Sequence, residues 1–169
     1  ERQRRTVEEY IALGRQEGAL LATGGRRASV PGFERAPFVE PTIFARVRND
    51  MRLAQEEIFG PVLAVIPYRD VTEAIQLAND SRYGLGAAIW SRDIQAAIEV
   101  AKRVRAGTVW INDHHIIQPR APFGGYKQSG VGREHGLQGL LAYTETKHIH
   151  VDLLQRRAGR LHWDVLLPE

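Results

Sequence analysis

Apolar residues recur along the chain with two periods, about 3.6 and about 2, and the switches between them outline its elements. Over residues 6–22 the apolar positions Val7, Tyr10, Ile11, Leu13, Leu20 and Leu21 keep roughly the helical period, which predicts a helix stopped by Gly24 and Gly25. Residues 38–47, FVEPTIFARV, are β-branched and aromatic with a proline inside, so an edge strand or an extended loop is expected there. The unbroken apolar run VLAVIPY, Val62 to Tyr68, follows a Gly-Pro corner and reads as a buried parallel strand.

Asp70 with Glu73 three residues on forms a capping box for the helix VTEAIQLAND, which sets Val71, Ala74, Ile75 and Ala78 on one face. YGLGAAIWS is the next strand. RDIQAAIEVAKRVRAG is then an amphipathic helix with Ile94, Ala97, Ile98 and Ala101 inward and Gly107 as its stop. TVWIN is a further strand. A Gly/Pro-rich loop covers residues 113–132, a short helix follows near residues 134–141, and TKHIHVDLL has the character of a strand. Strand, helix, strand, helix, strand at this spacing predicts an α/β fold on a parallel sheet with right-handed crossovers. In such folds the loops at the carboxyl ends of the strands carry function, which singles out the loop after TVWIN and the corner before VLAVIPY.

Composition narrows the chemistry more than the fold. With 43% hydrophobic and 25% charged residues in 169, the chain has the make-up of one ordinary globular domain. No apolar run approaches the roughly 20 residues of a membrane span. The opening ERQRRTVEEY lacks the apolar centre of a signal peptide, so a cytoplasmic location is expected. There is no cysteine, which removes disulfides, thiolate metal ligands and a thiol nucleophile at once. The net charge of +3 comes almost wholly from arginine, scattered among acids except for a knot in LLQRRAGRLH. Nucleic-acid binding through Arg157 to Arg160 is therefore a weak third reading, since it needs charge gathered on one face.

The glycine motifs fail on context. GLGAAI lacks the third glycine of a dinucleotide fingerprint, and GVGREHG follows no strand. His148 and His150 alternate on one face, but no acid or thiol is spaced to complete a metal site, and none is expected. His114 and His115 stand just past a strand end, where lining a pocket and lying in a solvated loop both remain open. QEEIFGP and APFGGYKQSG, each taken singly, are ambiguous corners.

Together these pieces are specific. QEEIFGPVLAV, NDSRYGLGAAIWSRD, AGTVWIND and APFGGYKQSGVGREHGLQGLLAYTETKHI occur in this order and at this spacing, and the chain resembles the C-terminal part of the aldehyde dehydrogenase superfamily over residues 6–151. The resemblance implies the parallel-sheet portion of that family's α/β catalytic domain over residues 1–142, with an oligomerisation strand and tail over residues 143–169. It implies that the Glu57 carboxylate binds the hydroxyls of the nicotinamide-side ribose of NAD or NADP and that Phe59 lies against the nicotinamide, with Glu56 a solvated neighbour. Asp113, His114, His115, Ile117 and Phe123 fall on the substrate-tunnel lining, Phe123 near the aldehyde entrance. The polar run at 113–115 leans toward a substrate with a polar or charged end. The strand of residues 146–154 implies a homo-oligomer.

The family's thiolate, general-base Glu and oxyanion Asn have no counterpart here, so no catalytic residue is expected. The chain reads as the C-terminal third of such an enzyme, inactive alone. The alternative from another class is a non-catalytic assembly module that pairs through its last strand.

Overall fold

The computed structural model describes residues 1–153. It begins with helix α1 (Arg2–Gln16), whose buried stripe Val7, Ile11 and Gly14 has the i, i+4, i+7 spacing of an amphipathic helix. Arg4 braces its first turns, bonding to Glu1 at 2.7 Å and to Glu8 at 2.6 Å. The helix is shorter than its apolar period suggested. Gly18 has φ 85°, the left-handed conformation of a helix stop, so Leu20 and Leu21 belong instead to strand β1 (Leu20–Thr23).

Strand β2 (Thr42–Ala45) pairs antiparallel with β1 and parallel with β3 (Val62–Ala64), which makes it the central strand of a mixed sheet. This corrects the edge or loop expectation for residues 38–47. Pro41 stands just before the strand, where its missing N–H interrupts no ladder bond, and Phe44 is fully buried at 0% exposure. β3 pairs as expected but over fewer residues. Leu63 and Val65, two residues apart and so on one face, are exposed rather than buried, so the run is covered on one face only. Helix α2 (Arg52–Gln55) closes this layer, and Val7, Ile11, Ala19, Phe44, Val47, Met51 and Leu53 form its core. Gly14 permits the close approach: a Cβ there would lie 2.9 Å from Leu53 Cδ2 and 3.0 Å from Phe44 Cζ.

The second layer carries helix α3 (Val71–Asn79), where Asp70 Oδ1 accepts from Glu73 N at 2.9 Å as the cap predicts. The Glu73 side chain reaches back one residue further than a capping box, accepting from Arg69 N at 2.6 Å. Ile75 is buried, whereas Val71 is exposed. YGLGAAIWS divides between β4 (Tyr83–Gly84) and β5 (Gly86–Ile89), which join different sheets. β5, helix α4 (Ile94–Arg103) and β6 (Thr108–Ile111) make the expected parallel β-α-β unit. Of the four inward positions in α4, Ala97 is buried and Ile94 is exposed.

α4 ends before Gly107. The Asn79 side chain takes its last turn, donating to Arg103 O at 2.9 Å and accepting from Arg105 N at 2.7 Å. Within the long loop, β7 (Tyr126–Lys127) pairs antiparallel with β4. Helix α5 (Gly136–Leu141) follows. The parallel pairs are therefore present, but in separate sheets beside antiparallel ones. Residues 146–153 are exposed and carry no strand pairing, and the arginine knot from residue 154 onward lies outside the described residues. Among the described residues no helix is long and apolar enough to cross a membrane.

Candidate functional site

The acid pair of QEEIFGP divides between two environments. Glu56, one turn after Arg52, accepts from Arg52 Nε and Nη2 at 2.9 Å each, and its Oε2 also accepts from the Tyr10 hydroxyl at 2.7 Å. It is thus pinned rather than a solvated neighbour, and the Arg52–Glu56 spacing was the signal in the sequence that could have shown it. The Arg52 bonds, then the Tyr10 hydroxyl, hold its carboxyl down to about 2, and the same contact with Glu56 raises the Tyr10 hydroxyl above its usual value. A depressed carboxyl contributes stability above its unfolded value of about 4.3 and loses it as the pH falls toward the folded one. We expect the wild-type chain to lose stability through this acid window, and Glu56→Gln to lose less over the same range. Parallel urea titrations between neutral and acid pH check this, and equal slopes contradict it.

Glu57 points the other way. It is exposed, makes no hydrogen bond or ion pair within the described residues, and lines a cleft of about 580 Å³ with Ser81, Tyr83, Arg105 and Gln128. Two residues on, Phe59 has φ 55° and is 78% exposed, an uncommon conformation for an aromatic and an uncommon exposure for one beside a core. Gly60 fits because a Cβ there would collide with Val7 Cγ2. The Gln3 side chain, unremarked in the sequence, donates to Ile58 O at 2.9 Å and Phe59 O at 3.0 Å. An ionised carboxylate is a pure acceptor, suited to two vicinal hydroxyls, and an open aromatic face suits a flat ring. The two groups are two residues apart in the chain and both exposed.

The loop residues form a different neighbourhood. His115 stacks on Trp110 with ring centroids 6.3 Å apart, and His114 meets the same indole edge-on at 5.6 Å. Trp110 Nε1 donates to Ile116 O at 2.9 Å, which draws the loop back over β6. Asp113 Oδ1 caps the turn through His114 N at 2.7 Å, and Ile117 is exposed beyond it. Phe123 lies elsewhere, bridged to Glu134 by two backbone bonds of 2.8 Å, in a cleft shared with Leu85, Gly130 and Arg133. The structure therefore gathers His114 and His115 on Trp110, with Asp113 bonded to the His114 amide, and sets Phe123 and Glu57 in two clefts that share Leu85 and Ser129. Lys127 also proves structural, its Nζ donating to Asn79 O at 2.8 Å and Ser81 O at 3.0 Å at the end of α3. His148 and His150 stack on each other, and the described residues contain no group of three or more side chains able to hold a metal.

Comparison with known proteins gives this geometry a setting. The model of the aldehyde dehydrogenase family matches residues 1–149. Betaine aldehyde dehydrogenase of Bacillus subtilis is 53% identical over 147 residues, which cover 87% of this chain and 30% of that protein. A solved structure of a betaine aldehyde dehydrogenase double mutant from Staphylococcus aureus, in complex with NAD+, superposes with a TM-score of 0.89 at 44% identity, covering 94% of this chain and 32% of that one. For the aldehyde dehydrogenase of Mycobacterium tuberculosis complexed with NAD+, the TM-score is 0.82 at 49% identity over 85% of this chain and 29% of that one. The chain thus spans about 30% of the length of the relatives it matches.

Proposed function

The chain belongs to the aldehyde dehydrogenase family, and from that premise we propose that it forms the nicotinamide-ribose corner and part of the substrate approach of an NAD(P)-dependent aldehyde dehydrogenase. The family reaction takes aldehyde, NAD(P)+ and water to carboxylic acid and NAD(P)H. One observation carries the reading: the exposed Glu57 carboxylate, without a partner among the described residues, stands two residues from the exposed ring of Phe59, on a corner that its neighbours anchor. These groups fit the cofactor's vicinal ribose hydroxyls and flat nicotinamide. When bound, the cofactor supplies the hydride acceptor.

The chain's own residues orient rather than react. Glu57 would hold the ribose hydroxyls as acceptor, and Phe59 would offer the nicotinamide a flat apolar wall. His114 and His115 on Trp110, with Asp113 beside them, offer polar groups to the outer end of a substrate, with Ile117 and Phe123 as apolar lining. The sequence holds no thiol, so none of these residues attacks the aldehyde. Residues 1–142 serve as the catalytic-domain portion and residues 143–169 as the oligomerisation strand and tail.

A graft tests the assignment. Residues 1–149 replace the matching segment of the Bacillus subtilis relative, and aldehyde-dependent NADH formation is followed beside the 169-residue polypeptide alone. The graft turns over and the polypeptide does not. A folded graft without activity, or turnover by the thiol-free polypeptide, overturns the reading.

A second role rests on its own observation. Ile149, Val151 and Leu153 alternate along the chain and are 76%, 66% and 83% exposed, in a segment that joins no sheet among the described residues. This supports pairing with a second copy by strand addition, as part of the enzyme or, in the alternative reading, as a non-catalytic assembly module. Sedimentation should show a dimer that Val151→Asp dissociates; a monomer at every concentration counts against it.

A further inference from the structure

The Glu57–Phe59 corner is held from one side by a single stripe of helix α1. Gln3, Val7 and Tyr10 lie at i, i+4 and i+7 and meet the corner at successive points. Gln3 donates to the carbonyls of Ile58 and Phe59, Val7 fills the space beside Gly60, and Tyr10 donates to the Glu56 carboxylate. Arg52 grips Glu56 from α2 with two bonds of 2.9 Å.

Glu57 therefore sits between two anchored neighbours, Glu56 fixed through its side chain and Ile58 through its carbonyl. Its own carboxylate has no protein partner within the described residues. The left-handed backbone of Phe59 adds to the case: a non-glycine residue persists at φ 55° only where its surroundings hold it. Both features aim an unpartnered acceptor and an open ring outward while the chain beneath them is immobilised. That arrangement lowers the ordering a ligand must impose on arrival.

We infer that Tyr10, Glu56 and Gln3 are positioning residues, which preset the direction of Glu57 and the exposure of Phe59 before a ribose-bearing ligand binds. The inference rests on the ribose-clamp reading for its purpose, but the preset itself is a property of the chain without ligand. Neither Tyr10 nor Glu56 touches the ligand. Glu56 works through its fixed place beside Glu57, and Tyr10 works through Glu56. A tie between α1 and the loop that served stability alone would leave ligand affinity unmoved once the variant is folded.

Two measurements separate these possibilities. The first uses the free 169-residue polypeptide, with 15N relaxation at the amides of residues 57–60. Wild type gives order parameters near the rigid value of about 0.85, and Tyr10→Phe and Glu56→Gln lower them toward about 0.6, with the Phe44 amide unchanged as evidence that the core is intact. Glu57→Gln leaves them as in wild type. The second uses the graft into the relative, where Tyr10→Phe and Glu56→Gln raise KM for NAD+ by about 3- to 10-fold, the scale of one ordinary hydrogen bond, while kcat holds; Glu56→Gln also lowers the melting midpoint at neutral pH through its lost ion pair, and Tyr10→Phe gives the same KM shift at a smaller loss of midpoint.

Order parameters and KM both unchanged in Tyr10→Phe and Glu56→Gln overturn the inference. A KM shift that follows the melting midpoint also overturns it, as a purely structural effect. If relaxation responds to these variants but Glu57→Gln leaves KM untouched, the clamp reading falls while the preset corner stands.

Discussion

Phe44→Ala destabilises the chain by about 3–5 kcal/mol, the range for truncating a fully buried phenylalanine. The side chain is 0% exposed on the central strand of the first sheet, beneath the point where Gly14 brings α1 closest. No small movement refills the space, since Val7, Ile11, Met51 and Leu53 are fixed by their own elements around it. Against a total stability of about 5–15 kcal/mol this is a large share, and the urea midpoint should fall by roughly 2 M for a slope of about 2 kcal/mol per M. Phe59→Ala is the matched control. The same truncation at a ring 78% exposed should leave the stability within about 0.5 kcal/mol of wild type, a midpoint shift of at most about 0.25 M. The pair separates a phenylalanine kept for packing from one held outward, and equal losses at both positions would place Phe59 in the core.

Local rules read well wherever a side chain settles the backbone beside it. Asp70 caps α3 through Glu73 N, as its spacing to the apolar stripe implies, and Asp93 caps α4 through Ala96 N in the same way. The parallel β5–α4–β6 unit follows from the same alternation. Readings failed where a distant partner decides. Asn79, not Gly107, ends α4, because its amide reaches the two carbonyl and amide groups that the helix end leaves unpaired. Pro41 looked like a mark of an edge strand, yet it lies one residue before β2 and leaves the ladder whole.

The candidate site was legible only in part, and for a related reason. Glu57 and Phe59 stand out through the combination of motifs, since neither residue type at a Gly-Pro corner is informative alone. The anchors beneath them lie more than 40 residues away in the chain, Tyr10 46 residues from Glu56 and Gln3 55 residues from Ile58, so no local pattern joins them. Arg52 was within reach of inspection, four residues before Glu56. The strand character of residues 146–153 is a statement about backbone pairing, and among the described residues that segment joins no sheet.

Glu57→Gln should have the largest functional effect of any substitution in the described corner. The change keeps the size of the side chain and one carbonyl acceptor, but replaces a charged acceptor of two hydroxyl bonds by a neutral group that presents a donor to one of them. Hydrogen bonds to charged groups contribute about 1.5–3 kcal/mol, which corresponds to roughly a 10- to 100-fold loss in kcat/KM for the cofactor. Because Glu57 makes no hydrogen bond or ion pair among the described residues, folding should be unaffected. The measurement is steady-state kinetics of the graft and its Glu57→Gln variant, with NAD+ varied at saturating aldehyde. A fall of at least about 10-fold in kcat/KM for NAD+, at an unchanged melting midpoint, is the predicted result; equal kinetics in the two proteins would contradict the assignment of this corner as the ribose clamp.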